Sequence, residues 1–156
     1  MCKINSAIFL IATLLLGASV CANDNPDFRY IEPDGVALPQ GSYGLGIVIE
    51  PDYRLAFLTG RNGSNADGSY SSDFETQARN ALASVSQLLE EIDMDWSNVV
   101  KINVYLTDVA DIPVWGRVRD EIIDVSRPAG TGIIVKALAS PDARVEVTVI
   151  AAQKVD

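Results

Sequence analysis

Residues 72–107 read SDFETQARNALASVSQLLEEIDMDWSNVVKINVYLT, and the two layers of the domain follow from this run. In its first half, apolar residues recur at spacings of three and four, which predicts a helix over Ser72–Ile92. Ser72 and Glu75 have the spacing of a capping box, so we expect the helix to begin there. One apolar stripe results, formed by Phe74, Ala78, Ala81, Val85, Leu88 and Ile92.

The second half of this run alternates between apolar and polar residues, which is typical of a half-buried strand over Val99–Thr107. Further upstream, residues 23–42 are rich in Asp, Asn, Pro and Gly and predict an irregular lead-in with one short strand near Phe28–Ile31. Two strand-like runs follow, and Pro51-Asp52 between them predicts a hairpin. The two strands of this hairpin are predicted at Leu45–Glu50 and Tyr53–Thr59, and a loop is predicted after them at Arg61–Ser72.

Downstream of the run, Asp111 is placed to cap a second helix, with Pro113 in its first turn. Arg127-Pro128 ends this helix, and two further strands follow at Thr131–Leu138 and Arg144–Ala152. The apolar face of the helix comprises Val114 or Trp115, Val118, Ile122 and Val125.

The predicted order is therefore β-β-α-β-α-β-β, with an additional short strand at the start. Two amphipathic helices covering one face of one sheet make a two-layer α+β domain over residues 43–156. The opposite sheet face carries a mixture of charged, polar and aromatic side chains, which suits an oligomer interface holding small pockets. Its members are Lys101, Asn103, Tyr105, Glu146 and Thr148.

The first 22 residues have the layout of a secretory signal peptide. Lys3 precedes an uncharged apolar run, Ala7–Ala18, and small residues follow at Val20-Cys21-Ala22. The sequence therefore predicts export to a periplasm, with secretion as an alternative and no membrane attachment after cleavage. A lipoprotein acylated at Cys21 and a buried core helix are the other interpretations of this segment.

Composition excludes several classes of chemistry. Cleavage after Ala22 leaves 134 residues with 11 basic and 21 acidic side chains, a net charge of −10, and no cysteine or histidine. A Ser-His-Asp triad and a Cys/His zinc site are therefore excluded. The negative charge argues against nucleic-acid binding, which depends on Lys and Arg neutralising phosphates.

Five segments, in order and with matching spacing, resemble the RidA/YjgF family of reactive intermediate deaminases from about Tyr43 to Gln153. The segment NVVKINVYLTD at 98–108 is similar to the family's central strand, and Phe57-Leu58-Thr59-Gly60 to its F-x-S-G turn. The other three are Gly41-Ser42-Tyr43, Arg127-Pro128-Ala129-Gly130-Thr131 and Arg144-Val145-Glu146-Val147.

The resemblance implies a chorismate-mutase-like fold and a homotrimer with ligand clefts between subunits. It implies a cofactor-free, metal-free site in which deaminating members hydrolyse enamines and imines to 2-oxo acids and ammonia. The family's water-positioning glutamate corresponds to Glu146, its tyrosine to Tyr43, and its serine to Thr59. The substrate-binding positions comprise Tyr43, Thr59, Gly60, Arg61, Gly130 and Gly132.

The family's carboxylate-binding arginine corresponds to Gly130, so that contact is missing here. Arg61 and Arg127 are the candidates to replace it, against the alternative that each is a solvated surface residue. Gly130 and Gly132 could cradle an anion through their N–H groups, or only permit a turn into the strand.

Two main functions follow from these observations. The first is a trimer that binds a small metabolite with weak or absent deaminase activity, and the second is an active enamine/imine deaminase. A structural or chaperone-like oligomer is a third, weaker interpretation.

Overall fold

The computed structural model describes residues 25–37, 39 and 42–155, so the expected signal peptide lies outside the described residues. Two helices and one mixed sheet form the two-layer α+β domain that the sequence predicts, with two short 3₁₀ turns at Trp96–Asn98 and Val109–Asp111. The strands are β1 (Arg29–Tyr30), β2 (Ile47–Val48), β3 (Tyr53–Phe57), β4 (Arg61–Asn62), β5 (Val99–Leu106), β6 (Ala129–Ile134) and β7 (Val145–Lys154), and the helices are α1 (Phe74–Glu90) and α2 (Ile112–Ile122).

The main sheet has the order β3-β7-β5-β6, with β4 pairing to β7 beyond β3. β5 is parallel to β6 and antiparallel to β7, so the last two strands flank the central strand instead of pairing with each other. The connection between β5 and β6 contains α2, as a parallel crossover requires.

The predicted hairpin around Pro51-Asp52 is wrong. β2 pairs with β1 in a separate two-stranded ladder, whereas β3 pairs with the last strand, β7. The Pro51-Asp52 turn reverses the chain without specifying which strands pair, and here burial of apolar surfaces selects β1 and β7 as the partners. The small β1-β2 ladder covers a second apolar cluster, made by Phe28, Val100 and Ala152 with Tyr30, Ile47, Ile49, Tyr53 and Ile150 around it.

Helix α1 confirms the predicted stripe from Phe74 to Val85, but Leu89 is buried where Leu88 was expected, and Ile92 lies beyond the end of the helix. The helix also begins one residue later than the capping box suggested. Its N-cap is Asp73, whose carboxylate accepts hydrogen bonds from the N–H and the hydroxyl of Thr76 at 2.8 and 2.7 Å. A carboxylate suits this position because it also faces the positive end of the helix dipole. The helix buries Phe74, Gln77, Ala78, Ala81, Leu82, Val85 and Leu89.

Asp111 occupies the N-cap position of α2, but its side chain makes no capping hydrogen bond. Instead its buried carboxylate accepts two hydrogen bonds from Arg144 Nη2, at 2.5 and 2.7 Å. Arg144 is only one residue ahead of β7, so this ion pair ties the start of α2 to the start of that strand. Trp115, Val118 and Arg119 are the buried residues of α2, and the predicted core residue Val125 is exposed.

The two helices are joined on their outer side by four charged residues. Glu75 and Arg79 of α1 form ion pairs with Glu121 and Arg117 of α2. The hydrogen bonds from Arg117 and then Arg79 lower the pKa of Glu75 to about 2. The Arg117–Glu75 pair therefore joins α1 to α2 only where Glu75 is ionised, whereas the Arg79–Glu121 pair does not depend on Glu75.

The core lies between the helices and the sheet. In β5 and β7 every second residue is buried beneath the helices, whereas the intervening residues on the opposite face are half-buried. The predicted mixed face is therefore present, with Lys101 donating to Thr131 at 2.8 Å and Asn103 to Thr148 at 3.1 Å. No helix in residues 25–37, 39 and 42–155 is long and apolar enough to cross a bilayer.

Candidate functional site

Glu146 is the second residue of β7 and lies on the open face of the sheet. It pairs across the strands with Asn62 of β4 on one side and Tyr105 of β5 on the other. Directly opposed residues of antiparallel strands place their side chains on the same face within about 5.5 Å of each other. Glu146 is therefore flanked by an amide and a phenol, both neutral.

Gly60 lies against the Glu146 carboxyl group. A Cβ at position 60 would lie 2.9 Å from Glu146 Cδ, so only glycine leaves this space to the carboxylate. Thr59, the preceding residue, is exposed. The structure thus brings two of the predicted site residues, Gly60 and Glu146, into contact, and Thr59 adjoins Gly60 in the chain.

Tyr43 and Gly130 form a second group. A Cβ at position 130 would lie 2.5 Å from Tyr43 Cγ and 2.6 Å from Tyr43 Cε1, well inside van der Waals contact. The aromatic ring therefore occupies the space into which any side chain at position 130 would project. Gly130 does not have a positive φ, so its role here is to accommodate the ring and not to make a turn.

Two residues of α2 hold Tyr43 in place. The Arg119 guanidinium stacks over the ring at 4.3 Å from its centroid, and Trp115 Nε1 lies 3.5 Å from the Tyr43 hydroxyl. Arg119 is 6% exposed and its guanidinium donates to Asp120 at 2.5 and 2.9 Å. Arg119 is not among the predicted site residues, although a basic residue four positions after Trp115, on the apolar face of a helix, is a signal of this kind of contact.

These two groups lie on opposite faces of the sheet within one subunit. Gly130 pairs with Ile102, whose side chain is in the helix-covered core, whereas Glu146 pairs with Tyr105 on the open face. Gly130 and Glu146 are also two strands apart across the sheet and three residue positions apart along it. With ordinary strand spacings, this separates their Cα atoms by roughly 14 Å. One subunit therefore does not bring Gly130 and Glu146 to a common cleft.

Arg61 also lies away from Glu146. It pairs with Val147, a core residue, so its side chain points to the helix side of the sheet, where it lines a groove with α1. The other proposed replacement, Arg127, forms an ion pair with Glu32 at 2.8 Å and stacks on Tyr30. The monomer thus places neither arginine beside the carboxylate.

Gly132 is an exposed residue of β6, and a Cβ there would meet Val104 Cγ1 at an ordinary 3.6 Å. Unlike Gly130, its position has room for a side chain. In the described ranges, no group of three or more His, Cys, Asp or Glu side chains is placed to hold a metal ion.

Comparison with known proteins gives the family. A family model described as Endoribonuclease L-PSP matches residues 37–153, about three quarters of the chain. The chain belongs to this family, the RidA/YjgF proteins. A RutC family protein of Aquifex aeolicus is 27% identical over 126 residues, which cover 79% of this chain and 98% of that protein.

Solved structures of Rid proteins share the fold. A Yersinia pestis protein of unknown function from the conserved Rid family, YyfB, superposes with a TM-score of 0.71 at 20% identity, covering 81% of this chain and 99% of its own. The Mycobacterium tuberculosis protein Rv2704, of the YjgF/YER057c/UK114 family, has a TM-score of 0.56 at 26% identity and covers 70% and 86%. The fold is thus the chorismate-mutase-like fold of the Rid proteins, as the sequence predicts.

Proposed function

We propose that this protein is an exported Rid-family homotrimer that binds a small metabolite in clefts between its subunits. We further propose that its imine deaminase activity is weak or absent because Gly130 replaces the motif arginine. The observation that carries the proposal is the Tyr43 ring, which fills the side-chain space at position 130. Position 130 therefore supplies no cation, and an aromatic ring occupies its side-chain space.

The size of the catalytic deficit follows from the lost contact. Removing one partner of a buried, hydrogen-bonded charge pair costs about 2–5 kcal/mol. Because each 1.4 kcal/mol is a factor of ten, a deficit of about 3 kcal/mol corresponds to roughly 100-fold in kcat/KM for a 2-imino acid.

The chemistry around Glu146 favours a different ligand from a 2-imino acid. Within the described part of the chain Glu146 makes no ion pair, and its cross-strand neighbours are the neutral Asn62 and Tyr105. A carboxylate without a counter-charge repels an anionic group and accepts hydrogen bonds from N–H or O–H donors. The proposed ligand is therefore a small neutral or amine-bearing metabolite.

The open face of the sheet supports the trimer. Phe57, Leu55 and Ile133 on this face are 72%, 47% and 45% exposed, and burying them would be favourable. A cleft that includes both the Tyr43 and the Glu146 groups would also require two subunits, since one subunit places them on opposite faces.

Expression of the full chain followed by isolation from the cell envelope tests export and assembly together. The intact mass is expected to correspond to residues 23–156, and sedimentation equilibrium to three subunits. A mass that includes the first 22 residues would contradict export, one with an acylated Cys21 would indicate a lipoprotein, and a monomer would contradict inter-subunit clefts.

The deaminase assay uses an amino-acid oxidase to generate 2-imino acids and semicarbazide to trap those that remain. An active Rid deaminase serves as the positive control and Glu146→Gln as the matched variant. We expect kcat/KM to be at least about 100-fold below that of the control enzyme. Activity within tenfold of the control, lost in Glu146→Gln, would instead establish the chain as an active enamine/imine deaminase.

Metabolite binding is measured separately by thermal shift with a panel of amines, amides and 2-oxo acids. We expect an amine or amide to raise the Tm of the natural protein and not that of Glu146→Gln, since binding to the native state is what raises Tm. A shift only with 2-oxo acids would contradict the proposed ligand chemistry.

A further inference from the structure

A groove of about 480 Å³ lies between the 61–68 segment and the outer face of α1. Its volume is in the range of small-molecule sites, about 300–1,000 Å³. It is lined by Arg61, Ser64, Asn65, Ala66, Gly68, Asn80, Ala83, Ser84 and Gln87. None of the residues that surround Glu146 or Tyr43 belongs to this set.

The segment is held against α1 by close packing and by side-chain hydrogen bonds. A Cβ on Gly63 would lie 2.5 Å from the carbonyl oxygen of Gln77, so the loop approaches the helix backbone as closely as glycine allows. Asn80 Nδ2 donates to Asn65 Oδ1 at 2.9 Å, and Asn65 Nδ2 donates to Ser69 Oγ at 2.9 Å. The wall of the groove is thus built before any ligand arrives.

The helix side of the groove presents a polar stripe. Asn80, Ser84 and Gln87 follow each other at spacings of four and three, which places them on one helix face. In the described part of the chain the side chains of Ser84 and Gln87 make no hydrogen bond, so both are available to a ligand. The small residues Ala83 and Ala66 leave the space between the two walls open.

Arg61 supplies the charge. The register of β4 with β7 directs its side chain to this side of the sheet, and it forms no ion pair within the described residues. Its Nε atom is buried and has no hydrogen-bond partner in this part of the chain. A buried charged donor without an acceptor is unfavourable. An anion in the groove that bonds to the other nitrogens of the same guanidinium would offset this cost.

The lining contains one cation and no carboxylate, in a chain whose net charge is −9. From this we infer that the groove is a second ligand site, which binds a small hydroxylated organic anion. Its carboxylate or phosphate oxygens accept hydrogen bonds from Arg61, and its hydroxyl groups bond to Ser84 and Gln87. The site is distinct from the Glu146 region. Its ligand, an effector or a second substrate, would be an anion, whereas the ligand proposed for the Glu146 region is neutral or amine-bearing.

Isothermal titration at constant ionic strength tests this with two probes, malate and glycerol 3-phosphate. Both carry an oxyanion and a hydroxyl group, and comparing them identifies which anion the groove prefers. The variants are Arg61→Gln, which removes the charge, and Ala83→Leu, which fills the groove at an exposed helix position without touching the charge. Lys136→Gln is the control, since it removes one exposed cation outside the groove.

We expect at least one probe to bind saturably to the natural protein and to Lys136→Gln. Arg61→Gln and Ala83→Leu are each expected to weaken it at least tenfold while keeping the Tm within a few degrees. Glu146→Gln is expected to bind the anion normally, so failure at one site is distinguishable from failure at the other. Binding of neither probe, or binding that survives both Arg61→Gln and Ala83→Leu, would overturn the inference.

Discussion

Gly130→Ala is expected to destabilise the protein through a single contact, the one with Tyr43. The new Cβ would lie 2.5 Å from Tyr43 Cγ, whereas carbon atoms in contact prefer about 3.5–4.0 Å. The ring must therefore move by about 1 Å. It is held by the guanidinium stacked at 4.3 Å and by the indole N–H of Trp115, so moving it weakens both contacts.

The magnitude follows from two contributions. Overpacking by one methyl group costs about 1–3 kcal/mol, and a weakened cation–π contact adds up to about 1 kcal/mol. A total of about 2 kcal/mol lowers the Tm of a domain of this size by roughly 7 °C. Because an oligomer's Tm depends on concentration, all variants are compared at one protein concentration.

Gly132→Ala is the matched control in the same strand. The Cβ that it adds lies 3.6 Å from Val104 Cγ1, so we expect a change in the free energy of unfolding of no more than about 0.5 kcal/mol. The second control is Gly130→Ala in a Tyr43→Ala background, where the added methyl group enters vacated space and is expected to cost almost nothing. If Gly130→Ala and Gly132→Ala have equal Tm, or if the cost persists without the Tyr43 ring, the reasoning is refuted.

Three further predictions concern stability. Gly63→Ala would place a methyl group against the backbone of α1. We expect the free energy of unfolding, measured by heat or urea, to fall by about 3 kcal/mol, and a fall below about 1 kcal/mol would contradict the close approach. Asp111→Ala would leave the guanidinium of Arg144 without its carboxylate. Because that guanidinium is partly exposed, we expect the free energy of unfolding to fall by about 2 kcal/mol, and Asp111→Asn is expected to recover part of this loss. The pKa of Glu75 is lowered to about 2 from an ordinary 4.5, so its contribution to stability is complete above pH 4.5 and is lost as the pH falls towards 2. Glu75→Gln is therefore expected to be less stable at pH 7 and to show a shallower decline of Tm below pH 4.5, and an unchanged pH profile would show that the ion pairs contribute nothing.

The helices and the central strand were predictable because their signals are local. The stripe of α1 repeats over five turns and the alternation of β5 is unbroken, so burial of one face dictates both elements. The N-cap was misplaced by one residue because Ser72 and Asp73 are both good capping residues and only the geometry selects between them. For Asp111, an arginine 33 positions away competed for the same carboxylate.

Strand pairing was the least predictable part of the fold. Pro51-Asp52 marks a turn correctly, but a turn does not state that its two flanking strands pair with each other. The partners of these strands are Arg29–Tyr30 and the last strand of the chain, both remote in sequence. Such pairings depend on which apolar surfaces can be buried together, which no local pattern specifies.

For the site, the sequence by itself determined which residue types are present: a glutamate at position 146 in the last strand, a glycine at position 130, and no histidine. In β5 and β7, where the alternation is clear, it also determined which residues share a face, because side chains alternate with a period of two. Only the tertiary structure decided that the Tyr43 ring fills the space at Gly130, that Arg119 stacks on that ring, and that Arg61 faces α1 and not Glu146. The physical reason is that these contacts join segments that are separated in the chain, and their distances depend on how the two layers pack together.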